Sequence, residues 1–200
     1  MKIIGITGIS GSGKTKATKM LAAQGGLAID TDTLAHALMK KGQPAYDKII
    51  KAFGTEILDE TGEIHRPSLG KLVFGNTDNM RRLEAILHPA VAEKTTEIIT
   101  DTRKAGTHMF VIIDAPLLIE AGMHTMCDSC WLITASHETR LKRIIKRDNI
   151  SVEAAGNRLK SRKSDETLKP YAHVVIENDG NDLYKLQETI LEALNKVLEA

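Results

Sequence analysis

The 200-residue sequence predicts a doubly wound α/β fold, a mainly parallel five-stranded sheet flanked by helices. Three observations predict it. Short apolar runs alternate with amphipathic helical patterns along the chain. The first run, Ile3-Ile4-Gly5-Ile6-Thr7, opens directly into a glycine-rich turn, Gly8-Ile9-Ser10-Gly11-Ser12-Gly13-Lys14-Thr15. Two later runs end in a carboxylate, at Asp30 and Asp114, and the carboxyl ends of strands are where open parallel sheets bind ligands.

Composition narrows the class. Apolar residues make up 42% of the chain and charged residues 26%, which suits one packed core and argues against disorder. The net charge of +1 supplies no general attraction to nucleic acid or to a membrane surface. No segment approaches the roughly 20 apolar residues of a membrane span, and a core strand begins at once, leaving no room for a signal peptide. A cytosolic protein without nucleic-acid or membrane partners is expected.

The glycine-rich turn has the spelling of a phosphate-binding loop, Gly, four residues, then Gly-Lys-Thr. Its glycines (Gly8, Gly11, Gly13) let successive N–H groups, that of Ser12 included, curl around a phosphate at the positive end of the following helix. Lys14 adds a mobile cation that reaches the β- and γ-phosphates. Thr15 offers a hydroxyl to Mg²⁺, and the N–H of Lys16 closes on the α-phosphate. A dinucleotide fingerprint is excluded because Lys16 stands where its third glycine belongs.

Beyond the loop, Ala17, Met20 and Leu21 form one helical face, and Gly25-Gly26 ends it. Leu27-Ala28-Ile29 reads as a second strand ending in Asp30-Thr31-Asp32. With strand alternation continued, Asp30 and Asp32 point to the same side, near the phosphate loop; the competing role is that Thr31 or Asp32 caps the helix of Leu34, Ala35 and Leu38. Residues 43–108 lack a parallel-strand pattern and carry three helical faces: Tyr46, Ile49, Ile50 and Phe53; Leu69, Leu72, Val73 and Phe74; and Leu83, Ile86 and Leu87. A polar turn at Asp59-Glu60-Thr61-Gly62 separates the first two, and Pro67 suits the start of a helix. This stretch reads as an inserted helical subdomain whose Arg66, Arg81, Arg82 and His88 can meet an anionic substrate.

Phe110-Val111-Ile112-Ile113 followed by Asp114 is a third strand with a Walker B ending, whose carboxylate orders Mg²⁺ directly or through water. The loop Ala115-Pro116-Leu117-Leu118-Ile119-Glu120 then runs along the top of the sheet. Trp131-Leu132-Ile133-Thr134 is the fourth strand. Ser136 caps a basic helix with Arg140, Lys142, Arg143, Lys146 and Arg147; Ser151 starts another with Arg158, Lys160, Arg162 and Lys163. Without interleaved aromatics these helices read as a lid over a triphosphate rather than a nucleic-acid patch. Val174-Val175-Ile176 is the fifth strand, Asn178-Asp179-Gly180 a turn, and Leu183 to Val197 the apolar face of a closing helix. The expected division is one domain over 1–200, with a core at about 1–42, 109–135 and 172–200, the insertion at about 43–108 and the lid at about 136–171. Cys127 and Cys130 read as two reduced thiols at a strand edge, since a zinc site needs two more ligands at suitable spacing.

Along nearly its full length the chain resembles the dephospho-coenzyme A kinase family, a group of P-loop kinases. The matching landmarks are Gly5-Ile6-Thr7-Gly8 with Gly11 to Thr15, Ile29-Asp30-Thr31-Asp32, Gly62-Glu63-Ile64-His65-Arg66, Leu83 to Pro89, Pro116-Leu117-Leu118-Ile119-Glu120, Arg140 with Arg143 and Arg147, and Val175-Ile176-Glu177-Asn178. The resemblance implies transfer of the γ-phosphoryl group of ATP, with Mg²⁺ and no tightly bound organic cofactor, to the ribose 3′-hydroxyl of dephospho-coenzyme A. Lys14 and Asp32 would be catalytic, Asp32 as the base. Asp30 or Asp114 would support the metal through water. Arg66, His88, Pro116, Leu117 and Glu120 would hold the acceptor, and Arg140 the nucleotide. The chain departs from the family pattern at Ile9-Ser10, Arg162 and His173. Two other readings remain: a nucleoside or nucleotide kinase of related fold, and a nucleotide switch, which lacks an Asn-Lys-x-Asp base reader here.

Overall fold

The first apolar run becomes β1 (Lys2–Thr7), buried from Ile3 onward, and the glycine-rich turn leads into α1 (Lys14–Ala22). The computed structural model describes residues 1–160, 164–180 and 182–200, Lys160 by its backbone alone. After the turn at Gly25-Gly26 come β2 (Leu27–Asp30), α2 (Thr31–Leu38), α3 (Tyr46–Phe53), α4 (Arg66–Val73) and α5 (Thr77–Ala105). Then follow β3 (Phe110–Asp114), β4 (Ser129–Thr134), α6 (His137–Asp148), α7 (Val152–Lys160) and α8 (Asp165–Leu168). The chain closes with β5 (Val174–Glu177) and α9 (Leu183–Glu199).

The five strands form one sheet in the order β2-β3-β1-β4-β5. β1 pairs parallel with both β3 and β4, and β4 pairs parallel with β5. Because β1 is central and the chain winds away from it to either side, the glycine-rich turn leaves the sheet at its topological switch point, the position at which such folds bind ligands. Close packing fixes the strand there. A Cβ on Gly5 would stand 2.7 Å from both the Leu118 Cδ2 and the Cys127 Sγ.

The chain divides into two compact units: Met1–Ile29 with Thr102–Ala200, and Asp30–Asp101. In the first, the sheet unit, Ile4, Ile6, Ile112, Trp131 and Ile133 are almost fully buried against Leu21 of α1 and Ile190 of α9. A second apolar cluster gathers Leu132 of β4, Ile144 of α6, Ala155 and Leu159 of α7 and Leu168 of α8 around Ile9 of the glycine-rich turn. The serines expected to cap α6 and α7 do so: the Ser136 Oγ accepts from Thr139 N–H and the Ser151 Oγ from Ala154 N–H.

In the second, the helical unit, Ile49 and Phe53 of α3, Ile57, and Leu69 and Val73 of α4 are buried. Asp59 closes the polar turn on itself by accepting from the N–H groups of Thr61 and Glu63 and from the Thr61 hydroxyl. These bonds, the Thr61 hydroxyl foremost, hold its carboxyl below the ordinary range. Pro89 lies inside α5 without ending it. Arg82 is committed locally, with its guanidinium 5.2 Å from the centre of the Phe53 ring and a hydrogen bond to the Ala52 carbonyl. Among the described residues no helix is long and apolar enough to cross a membrane.

Candidate active site

The glycine-rich turn ends in Gly13, at φ 98° and ψ 20°, which serves as the N-cap of α1 without a side-chain cap. This left-handed conformation suits glycine, and the uncapped first turn leaves α1 with donors and its positive dipole end open to an anion. Within the loop the Ser12 N–H donates to the Ile9 carbonyl at 3.0 Å, and the Lys16 N–H to the Gly13 carbonyl at 3.0 Å. Lys16 therefore spends its N–H inside the first turn, and an α-phosphate would have to share it. Ser12 is 1% exposed, its hydroxyl has no partner among the described residues, and its N–H, already given to Ile9, would have to be shared with a phosphate. Thr15 is exposed at the start of α1.

Across the end of the sheet, the Lys14 Nζ lies 3.3 Å from the Asp114 Oδ1, each side chain about one-seventh exposed. The other Asp114 oxygen accepts from the Thr18 hydroxyl at 2.7 Å. The pair joins the two motif residues, and Thr18, one turn beyond Lys14, fixes the carboxylate. The loop after β3 is tied to the end of β1, because the Thr7 hydroxyl donates to the Pro116 carbonyl at 3.4 Å. Leu118 is fully buried, whereas Pro116 and Leu117 are half-buried and Glu120 is exposed.

The basic helices are not a uniform charged face. The Arg140 guanidinium lies 3.2 Å from the Asp165 carboxylate of α8, both largely buried. Burial pushes the Asp165 carboxyl up by more than the Arg140 charge pulls it down, the sign expected of an ion pair whose desolvation exceeds its attraction. Arg143 Nη1 donates to the carbonyls of Gly11 and Ser12, at 3.2 Å each. Arg147 and Arg158 share the Asp148 carboxylate, and Arg147 also reaches the Ser10 hydroxyl at 3.4 Å. Bonding to Arg147 holds the Asp148 carboxyl below the ordinary range. Arg162 and Lys163 lie outside the described residues.

β2 ends at Asp30, two residues short of Asp32, and α2 begins at once at Thr31, so strand alternation does not carry through to Asp32. Asp30 is the N-cap, its Oδ1 accepting from the N–H groups of Asp32 and Thr33 at 3.0 Å each. Capping thus falls to Asp30 instead of Thr31 or Asp32, because the strand end sets which carboxylate sits one residue ahead of the helix. Asp32 is left in the first turn with its side chain exposed. Arg66 is the first residue of α4, exposed and followed by Pro67, and His88 sits half-buried in α5 just before Pro89.

Two departures from the family pattern find local explanations. Ile9 is buried in the cluster of α6, α7 and α8, and Ser10 meets Arg147. His173 lies at the amino end of β5, away from the phosphate loop, where its Nδ1 accepts the Cys130 N–H at 3.0 Å and its own N–H donates to the Cys130 carbonyl. Cys127 and Cys130 are free thiols. Sequence reasoning missed Thr18, and gave Asn178 a place in a turn and in a family landmark but no role. Asn178 follows the last residue of β5, at the same carboxyl end of the parallel strands as Asp114, and that position was the available signal.

A family model described as dephospho-CoA kinase matches residues 2–183. A dephospho-CoA kinase of Moorella thermoacetica is 36% identical over 193 residues, covering 96% of this chain and 91% of the relative. One from Bacillus cereus is 39% identical over 178 residues, covering 89% and 88%. A crystal structure of a Thermus thermophilus protein superposes with a TM-score of 0.82 at 28% identity, covering 98% of this chain and 96% of that one.

Proposed function

The chain belongs to the dephospho-CoA kinase family, and on that premise we propose how it performs the family's reaction, transfer of the γ-phosphoryl group of ATP to the ribose 3′-hydroxyl of dephospho-coenzyme A. One observation supports the reading above the others. The open first turn of α1 begins at a left-handed Gly13, with the Lys14 ammonium held beside it by Asp114. Phosphoryl transfer needs positioning and charge neutralisation more than covalent chemistry, and this arrangement supplies both.

When ATP enters, Lys14 exchanges Asp114 for the β- and γ-phosphate oxygens and follows the negative charge to the β-phosphate as the bond to the γ-phosphorus breaks. The backbone of Gly8, Gly11, Ser12, Gly13, Lys14, Thr15 and Lys16 holds the phosphates in line. A Mg²⁺ ion bound with the nucleotide would supply neutralisation of the charge on the transferred group. The Thr15 hydroxyl and the Asp114 carboxylate, acting through water, are hard oxygen donors that suit it, whereas Asp30 is already occupied as a cap. Asp32 receives the proton of the 3′-hydroxyl as that oxygen attacks the γ-phosphorus. Arg66 and His88 hold the anionic acceptor, with the loop of Pro116, Leu117 and Glu120 against its remaining surface. Arg140 joins the nucleotide by giving up Asp165. The enzyme works in the cytoplasm with no organic cofactor.

Coupled ADP release with Mg-ATP tests this. Acceleration by dephospho-coenzyme A, and not by adenosine, uridine, cytidine or AMP, is the expected result. Acceleration by a nucleoside instead would make the chain a nucleoside kinase, and slow hydrolysis indifferent to every acceptor would make it a switch.

A further inference from the structure

A phosphate loop can bind only if its peptide planes face the right way, and in this chain two side chains outside the motif hold them. The Ser12 carbonyl accepts from Asn178 Nδ2 at 2.7 Å and from Arg143 Nη1 at 3.2 Å. The Gly11 carbonyl accepts from the same Arg143 nitrogen at 3.2 Å. Arg143 Nη2 in turn reaches the Asn178 Oδ1 at 3.5 Å and the Gly180 carbonyl at 3.4 Å. Asn178 is 6% exposed, and its own N–H is tied to the Thr134 carbonyl of β4 at 2.8 Å, so the brace is rooted in the sheet.

A trans peptide points its C=O and N–H in opposite directions. With the Ser12 carbonyl drawn toward Asn178 and Arg143, the Gly13 N–H must point the other way, into the loop. We infer that Asn178 and Arg143 are positioning residues for nucleotide binding: they fix the Ser12–Gly13 peptide so that its N–H meets the phosphate chain, and Arg143 acts from behind the loop instead of as a phosphate ligand of the lid. The same contact gives the glycine at position 13 a second reason, since a Cβ there would overlap the Asn178 amide. Both donors already face carbonyls, so the loop is set before the nucleotide arrives and less ordering is left to binding. The inference rests on the phosphate-loop reading of residues 8–15.

The test is Asn178→Asp, which keeps size and the Arg143 contact but turns an N–H donor into an oxygen facing the Ser12 carbonyl. Arg143→Lys is the second variant, because it keeps the charge and loses the fork. Both should raise the dissociation constant for ADP, measured by calorimetry, at least tenfold, while the KM for dephospho-coenzyme A stays within twofold. In the wild-type protein the Gly13 amide resonance should move downfield on ADP binding, and in Asn178→Asp it should not. A purely structural role would lower the melting temperature and leave the ADP affinity of the folded fraction and the Gly13 shift unchanged, which would overturn the inference. Absence of ADP binding by the wild-type protein would instead remove the phosphate-loop reading and the brace together.

Discussion

The phosphate loop and the helical unit present their charged groups in opposite ways. At the loop, Lys14 is bonded to Asp114, Asp114 to Thr18, and Arg143 to two loop carbonyls, all within a buried frame. In the helical unit, Asp32 and Arg66 stand exposed, and among the described residues neither side chain has a partner. Every triphosphate offers the same geometry, so its site can be wired in advance. The polar groups assigned to the acceptor are left to be ordered by the acceptor itself, which places more of the binding cost on that side.

Lys14→Ala bears hardest on this contrast. Turnover should fall about 10³-fold, because a cation that follows the leaving charge is lost, while circular dichroism shows an intact fold. Near-normal steady-state turnover would end the claim that the loop is the working half. Asp32→Asn comes next: kcat should drop about 10²-fold or more with the KM for ATP unchanged, as expected for a proton acceptor outside the nucleotide site. An equal loss in the affinity for ATP would erase the division between the two regions.

Two residues along the chain, Asp30→Ala should behave quite differently. Losing the α2 cap should cost about 1 kcal/mol in a urea titration, with kcat affected far less than in Asp32→Asn. The smallest effect concerns Asp165. Its carboxyl is raised in the folded state, so the stability it contributes is present in acid and is lost as pH rises through the raised value. The melting temperature of Asp165→Asn relative to the wild type should therefore improve from about pH 4 upward. A difference that is flat with pH, or falls, would contradict the burial argument.

Much of the fold was legible in the residues. Each of the five strands falls on its apolar run, and the serines at 136 and 151 cap as their spacing suggests, because period and capping are local properties. What the sequence could not resolve were choices settled by tertiary register. Thr31 and Asp32 read as the caps on paper, and only the end of β2 shows that the cap is Asp30. Arg82 reads as a substrate cation until Phe53 and Ala52 are seen to occupy it. Arg143 and Asn178 are 35 residues apart in sequence and more than 130 from the loop they brace, and no local pattern could pair them.

The burial of Ile9 among α6, α7 and α8 carries an engineering consequence. The eight residues from Gly8 to Thr15 are not a portable cassette. Grafted onto another strand–helix pair they would keep the consensus spelling, yet Ile9 would sit in water and the Gly11 and Ser12 carbonyls would lose their donors. Transplantation would have to carry Asn178 and the first face of α6 along with the motif.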